Sequence, residues 1–411
     1  MPNRNQLHIL QVCKKFPYPL KDGESIAIHN LSRALVRAGA RVSLLAMNTR
    51  RHPFQGGGIP TALAHYHRVD MVEVDNRINP WDAFRNLFSP KSYHIERFES
   101  PAFAKKLRQL LKQDHYDVVQ METVYLSPYI PVVRTHSTAC LSIRTHNVEH
   151  EIWQRITDNT ALGLKRWYLQ HLTDKLERYE QRVLAQYDLL VAISQRDLYT
   201  FSTMGFSGEG TVIPIGLDLE DYQINGVPSG NERLSISFIG SLDWTPNVEG
   251  LRWFLQEIWP ALRKHWPELQ LHIAGRNTPP WLLDYQKPGV VVHGEVPDAA
   301  EFIQQHPVMV VPLLSGSGMR AKILEGMALG KIVLTTTLGL EGIDARHAEQ
   351  VLVADTSRAF LQNISFLQKH PEKIVDIGKQ ARCMVAEQYD SNQLGVQLLR
   401  IYQEAVFCHS R

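Results

Sequence analysis

The sequence has little of what several specialised protein classes depend on. Only four cysteines occur in 411 residues (Cys13, Cys140, Cys383 and Cys408), with no Cys-x-x-Cys among them. That excludes a disulfide scaffold and a thiolate zinc site, and it fits a reducing, cytoplasmic setting. No apolar run approaches the roughly 20 residues of a membrane-spanning helix. The purest, Val308–Leu314, has the length of a buried strand, and the N-terminal run Leu7–Val12 is too short and too close to Lys14-Lys15 for a signal peptide. Net charge is almost nil, because 44 Lys and Arg against 42 Asp and Glu leave +2. A dedicated nucleic-acid binder would be strongly basic, so that class is excluded. Asp-x-Asp is also missing, and with it a common way of holding a divalent cation on a diphosphate.

What is present is an alternation of strand-like and helix-like segments. Composition is ordinary for a globular chain, at 44% apolar and 21% charged, and the length suggests two to three domains at about 150 residues each. Leu7–Phe16 reads as a buried strand, Ser25–Arg37 as a helix stopped by Gly39, and Arg41–Met47 as the next strand. Further strands are predicted at Asp117–Met121, Leu141–Thr145 and Leu189–Ser194, with a long amphipathic helix at Leu164–Leu184. The pattern breaks near residues 211–222, and Asn225–Glu232, rich in Gly, Pro, Ser and Asn, is the predicted linker. Alternation then restarts with strands at Ile236–Gly240, Leu269–Gly275, Val290–His293, Val308–Leu314 and Ile332–Thr336, and helices at Asn247–His265 and Ala321–Leu329. The tail from Pro371 to Val406 reads as helical. This pattern predicts an α/β chain of two doubly wound domains with parallel sheets, whose ligands sit at the carboxyl ends of the strands.

The most informative stretch runs from the predicted strand at Val308–Leu314 into Ser315-Gly-Ser-Gly318, then Met319, Arg320, Ala321, Lys322 and, a turn later, Glu325. Glycines let backbone amides approach an anion, and a helix start adds partial positive charge. Arg320 and Lys322 can add full charges to the same anion, and Glu325 can accept hydroxyl hydrogen bonds from a ribose. Phosphate plus ribose means a nucleotide. The bland alternative is a solvated loop with two surface cations. A dehydrogenase reading also stays open, since Gly316-x-Gly318-x-x-Ala321 with Glu341 weakly matches a dinucleotide fingerprint, but that fingerprint normally opens its domain.

On these residues the chain resembles the retaining glycosyltransferases of the GT-B fold, family 4 (glycosyl transferases group 1). The helix Glu325-Gly-Met-Ala-Leu-Gly-Lys-Ile-Val333 matches the second half of that family's Glu-x7-Glu motif, while the first Glu falls on Ser317. The resemblance implies that Ser317, with the backbone amides of Gly318 and Met319, meets the donor sugar. It also implies cations after the first glycine of Gly240-Ser241, where this chain has none, so Arg320 and Lys322 are expected to replace them. Lys21-Asp-Gly23-Glu24 resembles the family's glycine-rich loop, with Asp22 in the place of one glycine. His146, in Arg144-Thr-His-Asn-Val-Glu-His150, matches the family histidine near the anomeric centre. Ser194 matches a strand-end serine more weakly, and Gly216 and Asp218 match a linker turn read as structural.

The expectations are therefore specific. The fold is GT-B, two facing Rossmann-like domains with an interdomain cleft. Residues 1–215, completed by a C-terminal helix at about 388–411, form an acceptor-binding domain, and 216–387 a nucleotide-sugar-binding domain. His146, Arg320 and Lys322 are expected to be catalytic. Gly23, Ser241, Ser317, Gly318, Met319, Glu325 and Gly294 are expected to bind substrate. The donor is a UDP- or GDP-sugar, the acceptor a glycan or lipid-linked molecule in cell-surface polysaccharide assembly, with no metal, cofactor or nucleic acid. An epimerase of the same architecture and an inactive nucleotide-binding subunit are the rival functions. Finally, Phe84–Lys112 carries seven basic and two acidic residues among Phe84, Leu87, Phe88, Phe98, Phe103, Leu107 and Leu110. It reads either as a helix laying its apolar face on the core or as a peripheral contact with anionic membrane.

Overall fold

The computed structural model describes the chain except for residues 1–5, 21, 51, 57, 225–233, 317 and 410–411. The predicted linker Asn225–Glu232 thus lies outside the described residues. The chain forms two compact units, Met1–Gly216 with Ser391–Arg411, and Leu217–Asp390. Among the described residues no helix is long and apolar enough to cross a membrane.

The first unit is built on seven strands: β1 (His8–Cys13), β2 (Arg41–Thr49), β3 (Arg68–Val74), β4 (Val118–Met121), β5 (Cys140–Thr145), β6 (Leu189–Ala192) and β7 (Glu209–Val212). All pair in parallel, in the order β3-β2-β1-β4-β5-β6-β7. Side chains of β1, β4, β5 and β6 are buried throughout, as a parallel sheet covered on both faces requires. Alternate residues feed two cores. Leu10, Val12, Met121 and Ile143 pack into one, Ile9, Cys13, Val118 and Cys140 into the other.

Helix α1 (Gly23–Arg37) starts where Asp22 accepts a hydrogen bond from the Ser25 amide at 3.0 Å, and it ends before Gly39, whose φ is +105°. After β3 come α2 (Pro80–Asn86) and α3 (Pro101–Gln113). In α3 the residues Phe103, Leu107 and Leu110 are fully buried, and Phe98 before it also joins the core. That part of the basic stretch therefore lays its apolar face inward. Helix α4 (Leu164–Leu184) matches its predicted bounds, and α5 (Gln195–Thr203) follows β6. The C-terminal helix, Ser391–His409, packs on α1 so closely that a Cβ on Gly395 would lie 2.6 Å from that of Ala34.

The second unit has six parallel strands: β8 (Ser235–Ile239), β9 (Gln270–Ala274), β10 (Val290–Gly294), β11 (Val308–Val311), β12 (Ile332–Thr335) and β13 (Leu352–Val353). Their order is β10-β9-β8-β11-β12-β13. The helix expected at Asn247–His265 is not uniform. It runs as α6 (Thr245–Trp253), a π-helical turn at Phe254–Ile258, and a further helix at Trp259–His265. Pro260 has no N–H for the carbonyl four residues back, and a shift of the ladder by one residue accommodates it. The helical tail is likewise interrupted, between Glu372–Gln388 and Ser391–His409, where the Leu217 amide donates to the Tyr389 carbonyl at 2.8 Å. Helix α7 (Ala321–Ala328) follows β11.

Candidate functional site

In each sheet the strand order reverses once, beside β1 and β4 in the first unit and beside β8 and β11 in the second. Such reversals open a crevice at the carboxyl ends of the strands, and several of the sequence-predicted residues lie at these strand ends.

In the second unit Gly240 follows β8 and β11 runs into the small-residue loop. Gly316 and Gly318 take φ of +101° and +81°, a region that side-chain-bearing residues avoid. Arg320 is buried; its guanidinium donates to the Gly318 carbonyl and lies 5.6 Å from the centre of the Trp244 ring. Lys322 reaches across to β8, donating to the side-chain oxygen of Asn247 at 2.7 Å and to the Ile239 carbonyl at 3.3 Å. A Cβ on Gly240 would lie only 3.1 Å from the Lys322 amine. The lysine therefore occupies the very strand end where the sequence carries no cation of its own. Burial, with the nearby Arg320, pushes the Lys322 ammonium down to about 7.

Ser241 joins this group through its backbone, which accepts from Asn247 at 2.9 Å, while its hydroxyl donates to Asp243 at 2.7 Å. Met319 is buried beside Arg320. Ser317 lies outside the described residues. Glu325 sits one turn into α7, and the Tyr222 hydroxyl donates to its Oε1 at 3.2 Å. Burial raises the Glu325 carboxyl against the pull of Tyr222 and Lys322. Gly294 stands apart, two strands from β8, at φ +73° with nothing within 4 Å of where a Cβ would stand.

In the first unit His146 follows β5 with its side chain nine-tenths buried, and its Nε2 lies 3.0 Å from Oε2 of Glu122. Glu122 follows β4 and was not singled out from sequence. It is fully buried, accepts from Gln11 at 2.5 Å and from Gln120, and pairs with Arg144 at 3.4 Å. Burial would raise this carboxyl, but His146 and Arg144 outweigh it and hold it below the usual range. A carboxylate can only accept, so the His146 proton sits on Nε2 and Nδ1 carries the lone pair. That Nδ1 is buried with no partner among the described residues. Burial, helped by Arg144 and opposed by Glu122, lowers the His146 pKa and keeps the ring neutral at pH 7.

Lys14 and Lys15, just past β1, face Glu24 at 3.6 and 3.3 Å, and Lys15 also pairs with Asp22 at 2.6 Å. Burial opposes ionisation of Glu24, yet the two lysines and His146 hold it at about 2. Glu149, hydrogen-bonded by Tyr125 at 3.1 Å, is pushed by burial up to about 7. Gly23 opens α1 with nothing within 4 Å of where a Cβ would stand. Ser194 does not present its hydroxyl as a strand-end group; it caps α5, accepting from the Asp197 amide at 3.1 Å. Gly216 accepts from Asn30 at 3.0 Å, and a Cβ on it would meet Ser391, a structural role.

Two family models match the chain, Glycosyltransferase Family 4 over residues 22–221 and Glycosyl transferases group 1 over residues 233–370. A Klebsiella pneumoniae protein described as an uncharacterized 44.6 kDa protein in the cps region is 22% identical over 303 residues, 70% of this chain and 75% of that one. Among solved structures, sucrose-phosphate synthase from Thermosynechococcus elongatus superposes with a TM-score of 0.69 at 16% identity, covering 97% of this chain and 99% of that one. Anabaena HepE in complex with UDP-glucose gives 0.63 at 14% identity, covering 96% and 99%. At such identities the structural likeness speaks for the fold, a glycosyltransferase architecture of the GT-B type.

Proposed function

The chain belongs to the group 1 glycosyltransferases, and from that premise we propose that it moves a sugar, with retention and without a metal, from a UDP- or GDP-sugar to a glycan or lipid-linked acceptor. Polysaccharide assembly on the cytoplasmic side is the proposed setting, in line with the cps-region name of its Klebsiella relative. The observation that carries the reading is the pair of cations, buried Arg320 and half-buried Lys322, beside two positive-φ glycines at the strand reversal of the second unit.

The chemistry follows from charge. As the bond from the anomeric carbon to the diphosphate breaks, negative charge grows on the leaving oxygen, and Arg320 and Lys322 neutralise it there. The acceptor hydroxyl bonds to the anomeric carbon on the same face and gives its proton to the departing phosphate, so no separate base is needed. His146, held by Glu122 with Nδ1 free of its proton, accepts a hydroxyl of the donor sugar. Glu325 takes ribose hydroxyls. Gly23 keeps the start of α1 open to the acceptor. Under this reading Gly318 and Met319 offer backbone amides, Ser241 flanks the phosphates and Gly294 the base.

Thermal-shift screening with UDP, GDP, ADP and their sugars tests it. Stabilisation by one diphosphate family, lost in Arg320→Ala and Lys322→Ala, is expected; flat responses to all would overturn the reading. Product analysis with and without acceptor then separates transfer from epimerisation.

A further inference from the structure

Helix α2 carries its aromatic residues on the wrong side for a globular core. Trp81 and Phe84, at i and i+3 on α2, and Phe88 in the turn just after it form one aromatic row, with Trp81 and Phe84 stacked at 6.0 Å and Phe84 against Phe88 at 5.8 Å. All three are more than half exposed, Phe88 at 82%. Periodicity of this kind normally marks the buried face, as it does in α3, where Phe103, Leu107 and Leu110 are inside. A second segment is exposed in the same way: Leu162 just before α4, and Leu164 and Trp167 in its first turn, are also more than half exposed. Tyr168 of α4 donates to the Ala83 carbonyl at 3.4 Å, and Lys175 donates to that of Asn86 at 2.6 Å, fastening α2 alongside α4. Six large, exposed apolar side chains thus stand on two adjoining segments of the first unit.

Lys91 is paired with Glu96 and Glu99, and Arg166 with Asp158. Arg85 and Lys165, next in sequence to Phe84 and Leu164, have no ion-pair partner among the described residues, and Asp82 is the acid of that short helix. We infer that this face of the first unit docks on an anionic bilayer. Indole and phenyl rings settle at the headgroup boundary, where apolar bodies leave water, and neighbouring cations meet lipid phosphates. A second copy of the chain is the poorer occupant, because a two-fold contact would set Arg85 and Lys165 against their own kind, whereas an anionic surface compensates them. None of these residues is among those assigned to transfer, so the test reads binding and needs no turnover.

Vesicle flotation decides it, using phosphatidylcholine with and without phosphatidylglycerol. The full chain is expected to float with the mixed vesicles and to bind pure phosphatidylcholine about tenfold less, with the difference erased by high salt. The triple variant Trp81→Ser, Phe84→Ser, Phe88→Ser should lose at least about tenfold in binding to the mixed vesicles, with an unchanged melting temperature because these rings bury no core. Arg85→Glu with Lys165→Glu should lose only the salt-sensitive part. No flotation with either vesicle overturns the proposal, as does equal flotation of the triple variant. Concentration-dependent dimerisation that the triple variant abolishes, without vesicle binding, would give the face to a second copy instead.

Discussion

The two strand ends that gather the candidate residues solve the same electrostatic problem in opposite ways. In the first unit charges compensate one another: Glu122 holds Arg144 and accepts from neutral His146, and Lys14 and Lys15 hold Glu24. In the second unit the hydrogen bonds of Lys322 go to neutral oxygens, those of Asn247 and Ile239, and its ammonium is pushed down to about 7. A buried charge costs free energy until something of opposite sign meets it. The first edge is therefore settled and suited to neutral, hydroxyl-rich ligands. The second is left for an anion to complete.

The hardest blow to that contrast is removal of both cations. Arg320→Ala with Lys322→Ala should cut kcat/KM by about 10³-fold or more, since each stabilises charge that grows only as the leaving group departs. Folding should hold, because burial of the Lys322 charge costs free energy that its hydrogen bonds to neutral oxygens only offset. Unaltered turnover would remove these residues from the site.

The matching cut in the first unit falls on stability. Glu122→Ala strands Arg144 in the interior and should cost about 3–5 kcal/mol in a denaturant melt. Glu122→Gln keeps the hydrogen bond to His146 but loses the charge that raises that ring's pKa. The acid limb of the rate profile should then move to lower pH, a shift that a purely structural role for Glu122 would not produce.

How much of this could be read beforehand follows the same divide. The loop after β11 was legible because its glycines, cations and carboxylate are consecutive in sequence. Glu122 was not, because its partners Gln11, Arg144 and His146 come from three other segments that only the sheet brings together. The one local hint was Gln120 and Glu122 alternating through an otherwise apolar strand end. Most strands were legible from their apolar runs. Edge strands were harder, since β3 mixes Arg68, Asp70 and Glu73 among its apolar residues and β13 spans only two. That Lys322 reaches β8 is likewise tertiary, fixed by Gly240 and Asn247 across the sheet.

Proton linkage sharpens the contrast further. With the Lys322 pKa lowered from 10.5 to about 7, the empty protein loses this proton as pH rises through 7, while a bound diphosphate favours the ammonium. Between those two values binding should draw in a proton, visible by calorimetry in buffers of different ionisation enthalpy. Affinity should fall by up to about tenfold per pH unit above 7. Lys322→Gln should bind weakly without that slope. A slope that persists would assign the proton elsewhere.

Gly240→Ala probes the same contact more gently. The new methyl would sit 2.7 Å from the Asn247 amide nitrogen and 3.1 Å from the lysine amine, so both must retreat. Diphosphate affinity should drop by about 1–2 kcal/mol, the scale of a displaced charged hydrogen bond.

Tyr222→Phe should have the smallest effect and the most discriminating one. The tyrosine hydroxyl occupies Oε1 of Glu325 and pulls down a carboxyl that burial raises. Without it the Glu325 pKa rises, so the ionised carboxylate that accepts ribose hydroxyls is lost at a higher pH as the solution is acidified. Nucleotide affinity at neutral pH should change by less than about 1.5 kcal/mol, while its acid limb moves upward. Inorganic pyrophosphate has no ribose and should bind both proteins alike, though its affinity depends on Lys322 as strongly as that of the nucleotide. If pyrophosphate binding followed the tyrosine too, Glu325 would be acting on the phosphates through Lys322. The second edge would then hold a compensating carboxylate after all, and the contrast between the two units would narrow.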